Sequence, residues 1–414
     1  MPGPDPQGDS RIGWFGLATI WFGGVISVPA LLVGATLIGG LAFGPALLWS
    51  GLGFLLVGLC MALLGVRAAQ HGADTRQLAS RAFGTTGARL VLGLVVGVPL
   101  MGWFGVQTAI AAGSLVHIVE RSFGLQWALP PVALALGATM TLTAVAGFGA
   151  LKWLNYLAVP AKVALVAYGV VMALQAHGLA PVLAWRPDAA ATLDPLTAIG
   201  MAVGFVAVAA VIAPDYARQA RSGRDAALGC LLGLVPAAIL LAACGALLAI
   251  AQQTHDIVEI YARLGLPLLA LSVLIVATWT TNVMNVYSAG LALDGLAAGL
   301  PGWGQRRALS TAAAGLIGSL LAAAGILERL TGFLSLLTLT VMPIAGVMVA
   351  AWWLLPAPAR PGAAWRVHGL LAWAAGVGGV LLLQHPVRHL LGPVIAAAVM
   401  VLLVRGFARV TPGR

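Results

Sequence analysis

Residues 14–40 read "WFGLATIWFGGVISVPALLVGATLIGG". The run is long and apolar enough to cross a bilayer as a helix, which takes about 20 residues. Its middle holds Gly23, Gly24, Ser27 and Pro29. Glycine tolerates almost any backbone conformation and proline lacks a backbone donor, so the helix is expected to unwind there. Unwound backbone at membrane depth persists only where it is buried in protein or lines a cavity. This stretch therefore predicts a broken membrane helix with a site beside it.

Similar runs continue along the chain. It is 61% hydrophobic and 8% charged over 414 residues, a composition that excludes a soluble globular domain. Spans are expected near 14–40, 42–66, 88–117, 128–147, 154–176, 195–215, 225–252, 265–290, 308–326, 330–355, 365–384 and 390–407. The fold class is thus an all-α polytopic membrane protein of about twelve helices. The first run is too long for a signal peptide and lacks a basic segment followed by a cleavage site, so it is expected to remain as helix 1.

The net charge of +10 raises the question of a polyanionic partner. Its distribution answers no. With residues 1–13 as a cytoplasmic tail, sixteen Lys/Arg fall on inside segments and five on outside ones; Lys162 completes the 22. That is the positive-inside bias of a membrane protein with both termini cytoplasmic, and no nucleic acid is implied. Cys60, Cys230 and Cys244 lie in apolar runs without metal-like spacing and read as small packing residues.

A second interruption is expected in helix 6, "LTAIGMAVGFVAVAAVIAPDYAR", at Gly200 and Gly204. It lies five helices after the first. Interrupted helices in corresponding positions mark an inverted-repeat secondary transporter whose site lies at the breaks.

All twelve acidic residues fall in tails, loops or helix ends. No intramembrane carboxylate is available as a proton relay. The membrane interior holds neutral polar and aromatic groups instead. On helix 3, Trp103 and Gln107 are i, i+4 neighbours on one face. A flat π surface beside an amide suits a planar heterocycle, stacked on its face and read along its edge. On helix 8, "ATWTTNVMNVYSAG" (277–290) carries Thr278, Thr281, Asn282 and Asn285 at i, i+3, i+4 and i+7, one helical face. Thr280 and Thr281 are hydroxyl donors for an alkali cation, together with carbonyls released near Gly23 to Ile26. Lys162, in "AVPAKVALVAYG" on helix 5, is the one Lys or Arg left inside the membrane. Its long side chain can snorkel to an interface. Alternatively its amine, charged or neutral, stands in for the cation and makes the transporter proton-coupled.

The motifs "GWFGVQ", "ATWTTN" and "APDYARQAR" together resemble the nucleobase:cation symporter-1 family, in particular its cytosine permease branch. The resemblance covers essentially the whole chain. It implies a five-plus-five inverted repeat of the leucine-transporter type, over 14–176 and 195–355, followed by two helices over 365–407. It implies uptake of nucleobases, hydantoins, allantoin or related rings, driven by Na⁺ or H⁺. Trp103 matches the family's stacking tryptophan, Gln107 a ligand-binding glutamine of hydantoin-type members, and Asn282 the substrate-contacting motif of helix 8. Ser27, Gly204, Phe205 and Asn285 complete the expected substrate site. Gly23, Ile26, Ala277, Thr280 and Thr281 match the Na⁺ ligands of sodium-coupled members. Leu100, Val283 and the Phe205–Val206 pair depart from the cytosine permease pattern, which moves the helix 6 aromatic by one residue.

The function expected is a symporter of the inner membrane that imports a nucleobase-like heterocycle by alternating access. It is expected to act as a monomer in the lipid bilayer, with no cofactor besides the coupling ion. Within the class, a hydantoin, allantoin or hydroxymethylpyrimidine transporter is the alternative. Outside it stand a membrane-embedded enzyme, for which no catalytic group is visible, and a receptor.

Overall fold

The 14–40 run is broken where its sequence predicts. In the computed structural model, α1 (Trp14–Val25) and α2 (Val28–Leu37) meet at 68°. Ile26 and Ser27 between them are extended. Pro29 has no N–H to offer the Val25 carbonyl. The Ala30 N–H bonds Ser27 O at 3.1 Å rather than Ile26 O. The backbone around the break is thereby released from helical pairing. The structure describes residues 11–410 except 147, 189–191, 265–266, 298–305, 359–361 and 384, with the backbone alone over 148–159 and 407–410.

Each expected span has a counterpart. In chain order they are α3 (Phe43–His71), a short α4 (Thr75–Phe83), α5 (Thr85–Phe123), α6 (Leu129–Ala146), α7 (Phe148–His177) and a short α8 (Ala180–Ala184). Next come α9 (Pro195–Ala217), α10 (Gly223–Gln252), a short α11 (Ile257–Ala262) and α12 (Pro267–Ala297). Then follow α13 (Arg307–Ala323), α14 (Leu330–Val349) with a π turn Ala350–Leu354, α15 (Val367–Leu382) and α16 (Arg388–Val410). Among the described residues, eight single helices and the bent pair are long and apolar enough to cross a membrane. The chain is a polytopic helical membrane protein. α5, expected over 88–117, is longer at 39 residues, so its ends project beyond a bilayer core about 30 Å thick.

The break expected in helix 6 is absent: α9 runs unbroken from Pro195 to Ala217. Its glycines serve close approach instead. A Cβ on Gly204 would stand 1.9 Å from Leu334 O, and one on Gly200 2.5 Å from the His389 ring. Thr338 Oγ1 donates to Gly200 O at 2.6 Å and fastens α9 to α14. The same device joins α2 to α10. A Cβ on Gly34 would stand 1.8 Å from Ala242 O, and one on Gly245 1.9 Å from Leu31 O. Small residues let membrane helices touch backbone to backbone, where dispersion replaces the missing hydrophobic drive.

The arginine-rich end, where Arg67, Arg76, Arg81 and Arg89 lie, is fastened by α4, which begins on an Asp74–Gln77 capping box. The Thr75 N–H donates to Asp215 Oδ1 of α9 at 2.9 Å. Arg81 lies 4.4 Å over the Trp352 ring and donates to Leu355 O at 3.0 Å. A lone cation–π contact at an exposed site is worth about 0.5–1 kcal/mol.

Candidate functional site

α5 is the spine of the site. Toward its arginine-rich end, Gly93 and Val96 line a cavity of about 630 Å³ with Arg89, Asp215 and Ser288. Toward the opposite end, Ala109 and Gly113 line one of about 640 Å³ with Thr36, His255 and Glu328. Met101 to Ala109, between the two, are buried. Trp103 and Gln107 therefore sit in a closed septum separating two cavities.

Trp103 is held edge to face by two phenylalanines. Its ring lies 5.6 Å from Phe205 and 5.3 Å from Phe333, with interplanar angles of 84° and 79°. Phe205 on α9 packs in turn on Phe54 of α3 at 6.4 Å. Phe333 went unseen in the sequence, where one Phe in an apolar helix looks like any other. The signal lies across the interface at Gly102, where a Cβ would meet the Phe333 ring at 2.3 Å. Trp103→Ala is expected to weaken heterocycle binding by about 1–3 kcal/mol, the range for base–aromatic stacking, and Trp103→Phe to retain part of it. Titration of the purified variants measures this. Unchanged affinity in a folded Ala variant would remove Trp103 from the ligand site.

The amides of the septum are unevenly satisfied. Asn282 on α12 is fully buried. Its Nδ2 lies 3.1 Å from Phe104 O, 2.8 Å from Thr108 Oγ1 and 3.3 Å from Met140 Sδ. Its Oδ1 is buried without a hydrogen-bond partner, and so is Gln107 Oε1. Leaving such an oxygen unpaired costs about 1–3 kcal/mol. Asn285 and Ser27 are half-buried, Ser27 in the helix break. Gly204 is taken up by its packing on Leu334.

The remaining hydroxyls divide by role. Thr278 Oγ1 returns its hydrogen bond to Leu274 O and Ile275 O of its own helix, at 2.9 Å each. It belongs to the stripe by spacing but is spent on the backbone. Thr280 and Thr281 both point at Ala277 O, at 3.1 and 3.5 Å. Lys162 Nζ donates to Thr281 Oγ1 at 2.5 Å, and Lys162 is buried. α7 thus delivers an amine to the Thr281 hydroxyl of α12. Gly23 in α1 is exposed, with nothing within 4 Å of a built Cβ, and Ile26 is half-buried.

Residues 5–356 match the family described as permeases for cytosine/purines, uracil, thiamine and allantoin. The cytosine permease of Escherichia coli K12 is 30% identical over 352 residues, 84% of this chain and 79% of that protein. Among solved structures, Mhp1 in an inward-facing conformation superposes with a TM-score of 0.82 at 21% identity, covering 98% of this chain and 93% of the other. Mhp1 as a nucleobase-cation-symport-1 family transporter, closed with bromovinylhydantoin bound, gives 0.76 at 21% identity, covering 97% and 94%. The fold is theirs, and the chain belongs to the cytosine/purine permease family of nucleobase-type membrane transporters.

Proposed function

We propose that this transporter imports a planar nitrogen heterocycle of the nucleobase class by symport with a proton carried on Lys162. The observation that carries the substrate half is the grouping of Trp103 with two buried, unpaired amide oxygens, on Gln107 and Asn282. One surface stacks a ring and two atoms read its edge. The two cavities, one at each end of α5 and separated by the septum, are the layout alternating access requires. The arginine-rich end faces the cytoplasm, by the sixteen-to-five charge bias.

The proton half rests on the Lys162–Thr281 contact of 2.5 Å. Thr281 was the expected Na⁺ ligand, and an ammonium at that distance occupies the space an ion would take. Asn282 and Thr281 are consecutive on α12, so ligand and proton act on one turn of one helix. Coupling then follows if both stabilise the same state.

The test is uptake of radiolabelled cytosine into proteoliposomes, with hydantoin and allantoin as competitors. Concentrative uptake of unchanged compound is expected under an imposed pH gradient. Conversion without accumulation would replace a transporter by an enzyme, and binding without transport would leave a receptor. Preference for hydantoin over cytosine would favour the second reading, toward which Leu100, Val283 and Gln107 point.

A further inference from the structure

The Asn282 side chain is fixed in one orientation. Nδ2 has two hydrogens and faces three acceptors: Phe104 O at 3.1 Å, Thr108 Oγ1 at 2.8 Å and Met140 Sδ at 3.3 Å. Turning the amide over would set Oδ1 against the Phe104 carbonyl, acceptor against acceptor, so the flipped form is excluded. No hydrogen of Nδ2 remains for a ligand. The free end is Oδ1, buried and unpaired.

Thr108 is held for this task from its other side. Its Cγ2 methyl packs toward Gly137 of α6, 3.4 Å from where a Cβ would be, and that glycine has no room to grow because Ser319 Oγ would lie 2.1 Å away. With the methyl seated toward Gly137, the hydroxyl donates to Met140 Sδ of α6 at 3.9 Å and accepts from Asn282 Nδ2 of α12. Thr108 neighbours Gln107 in sequence but points about 100° away from it around α5, so it can orient Asn282 without facing the ring.

We infer that, with Phe104 O fixing which end of the amide faces α5, Thr108 is a positioning residue that takes up the second Nδ2 hydrogen and so makes Asn282 an acceptor-only contact, so that the site selects heterocycles offering a ring or amino N–H at that point. This deepens the heterocycle reading and rests on it. Gln107 Oε1, also buried and unpaired, supplies a second acceptor on the neighbouring face of α5. A ligand edge with N–H donors satisfies both oxygens, whereas a bare ring nitrogen or an N-alkyl group leaves one stranded. Sites built to hydrogen-bond a ligand group reject the analogue lacking it far more strongly than apolar pockets discriminate by size.

The experiment is equilibrium binding to the full-length protein in nanodiscs. The probes are cytosine, uracil and hydantoin, each compared with its singly N-methylated analogues. In the wild type, methylation at one nitrogen is expected to cost about tenfold or more in affinity, as one lost hydrogen bond in a dry site does. Thr108→Val removes the hydroxyl at nearly constant volume. It is expected to bring the parent-to-analogue ratio at that nitrogen several-fold closer to one, and Thr108→Ser to keep the wild-type ratio. If Thr108→Val does not fold, Thr108→Ala carries the same test. Equal affinity of parents and analogues for the wild type overturns the inference. So does a Thr108→Val variant that binds all probes more weakly by one common factor, which is what a merely structural residue would give. If no probe binds the folded wild type, the heterocycle reading falls and takes this inference with it; binding with an unmoved ratio defeats the positioning role alone.

Discussion

Lys162→Met is expected to abolish uptake driven by a pH gradient while leaving exchange of labelled for unlabelled ligand across the same membrane. Exchange needs only the loaded carrier to reorient, so it reports that the variant folds and binds. In the wild type, each unit of pH difference carries about 1.4 kcal/mol per proton and supports about tenfold accumulation at a stoichiometry of one. The expectation follows from a buried amine on Thr281 Oγ1 at a depth where the sequence places no carboxylate. Uptake that follows a Na⁺ gradient and is unmoved by the substitution would return the site to Na⁺, held by Thr280, Thr281 and the carbonyls of Gly23, Ile26 and Ala277.

Gly245→Val is expected to prevent folding, or to cost more than about 4 kcal/mol, because no rotamer change can relieve a Cβ placed 1.9 Å from the Leu31 carbonyl. The contact joins α10 to α2 just past the helix break, so any protein that survives should also lose transport. Gly378→Ala in α15 is the contrast. A Cβ there meets nothing within 4 Å, and the substitution should stabilise by about 0.5–1 kcal/mol by the ordinary helix preference for alanine. Thermal unfolding of the two purified variants in detergent separates the predictions by sign.

The two glycine-rich helices show what a sequence can and cannot tell. In the 14–40 run, Pro29 at the start of α2 adds a missing donor to Gly23 and Gly24 of α1 and the helix breaks, whereas Pro214 in α9, with no glycine within a turn of it, leaves its helix continuous. In α9, Gly200 and Gly204 carry no such requirement. Whether they unwind the helix or seat it depends on Leu334 and His389, far along the chain. Lys162 was legible because a charge at membrane depth stands out against everything around it. Trp103, Gln107 and Asn282 were legible as polar or aromatic side chains repeating on helical faces. Thr108 was not: its role is defined by Asn282, 174 residues away, and a threonine beside a glutamine has no periodicity of its own. Half of Asn282 was also hidden. Spacing shows that an amide lies on a face, whereas which of its two polar atoms is bonded and which is left unpaired depends on the neighbouring helices.

The septum on α5 has an electrical consequence. Water entering the two cavities would bring the aqueous phases to Val96 on one side and Ala109 on the other. A helix rises about 1.5 Å per residue, so the dry barrier between them is about 20 Å, thinner than the surrounding hydrocarbon of about 30 Å. The membrane voltage would then fall mainly across that short barrier. A charge carried through it senses nearly the whole potential, about 2.3 kcal/mol per 100 mV, within a few turns of helix. The packed rings of Trp103, Phe205 and Phe333 lie within that barrier and would keep it dry.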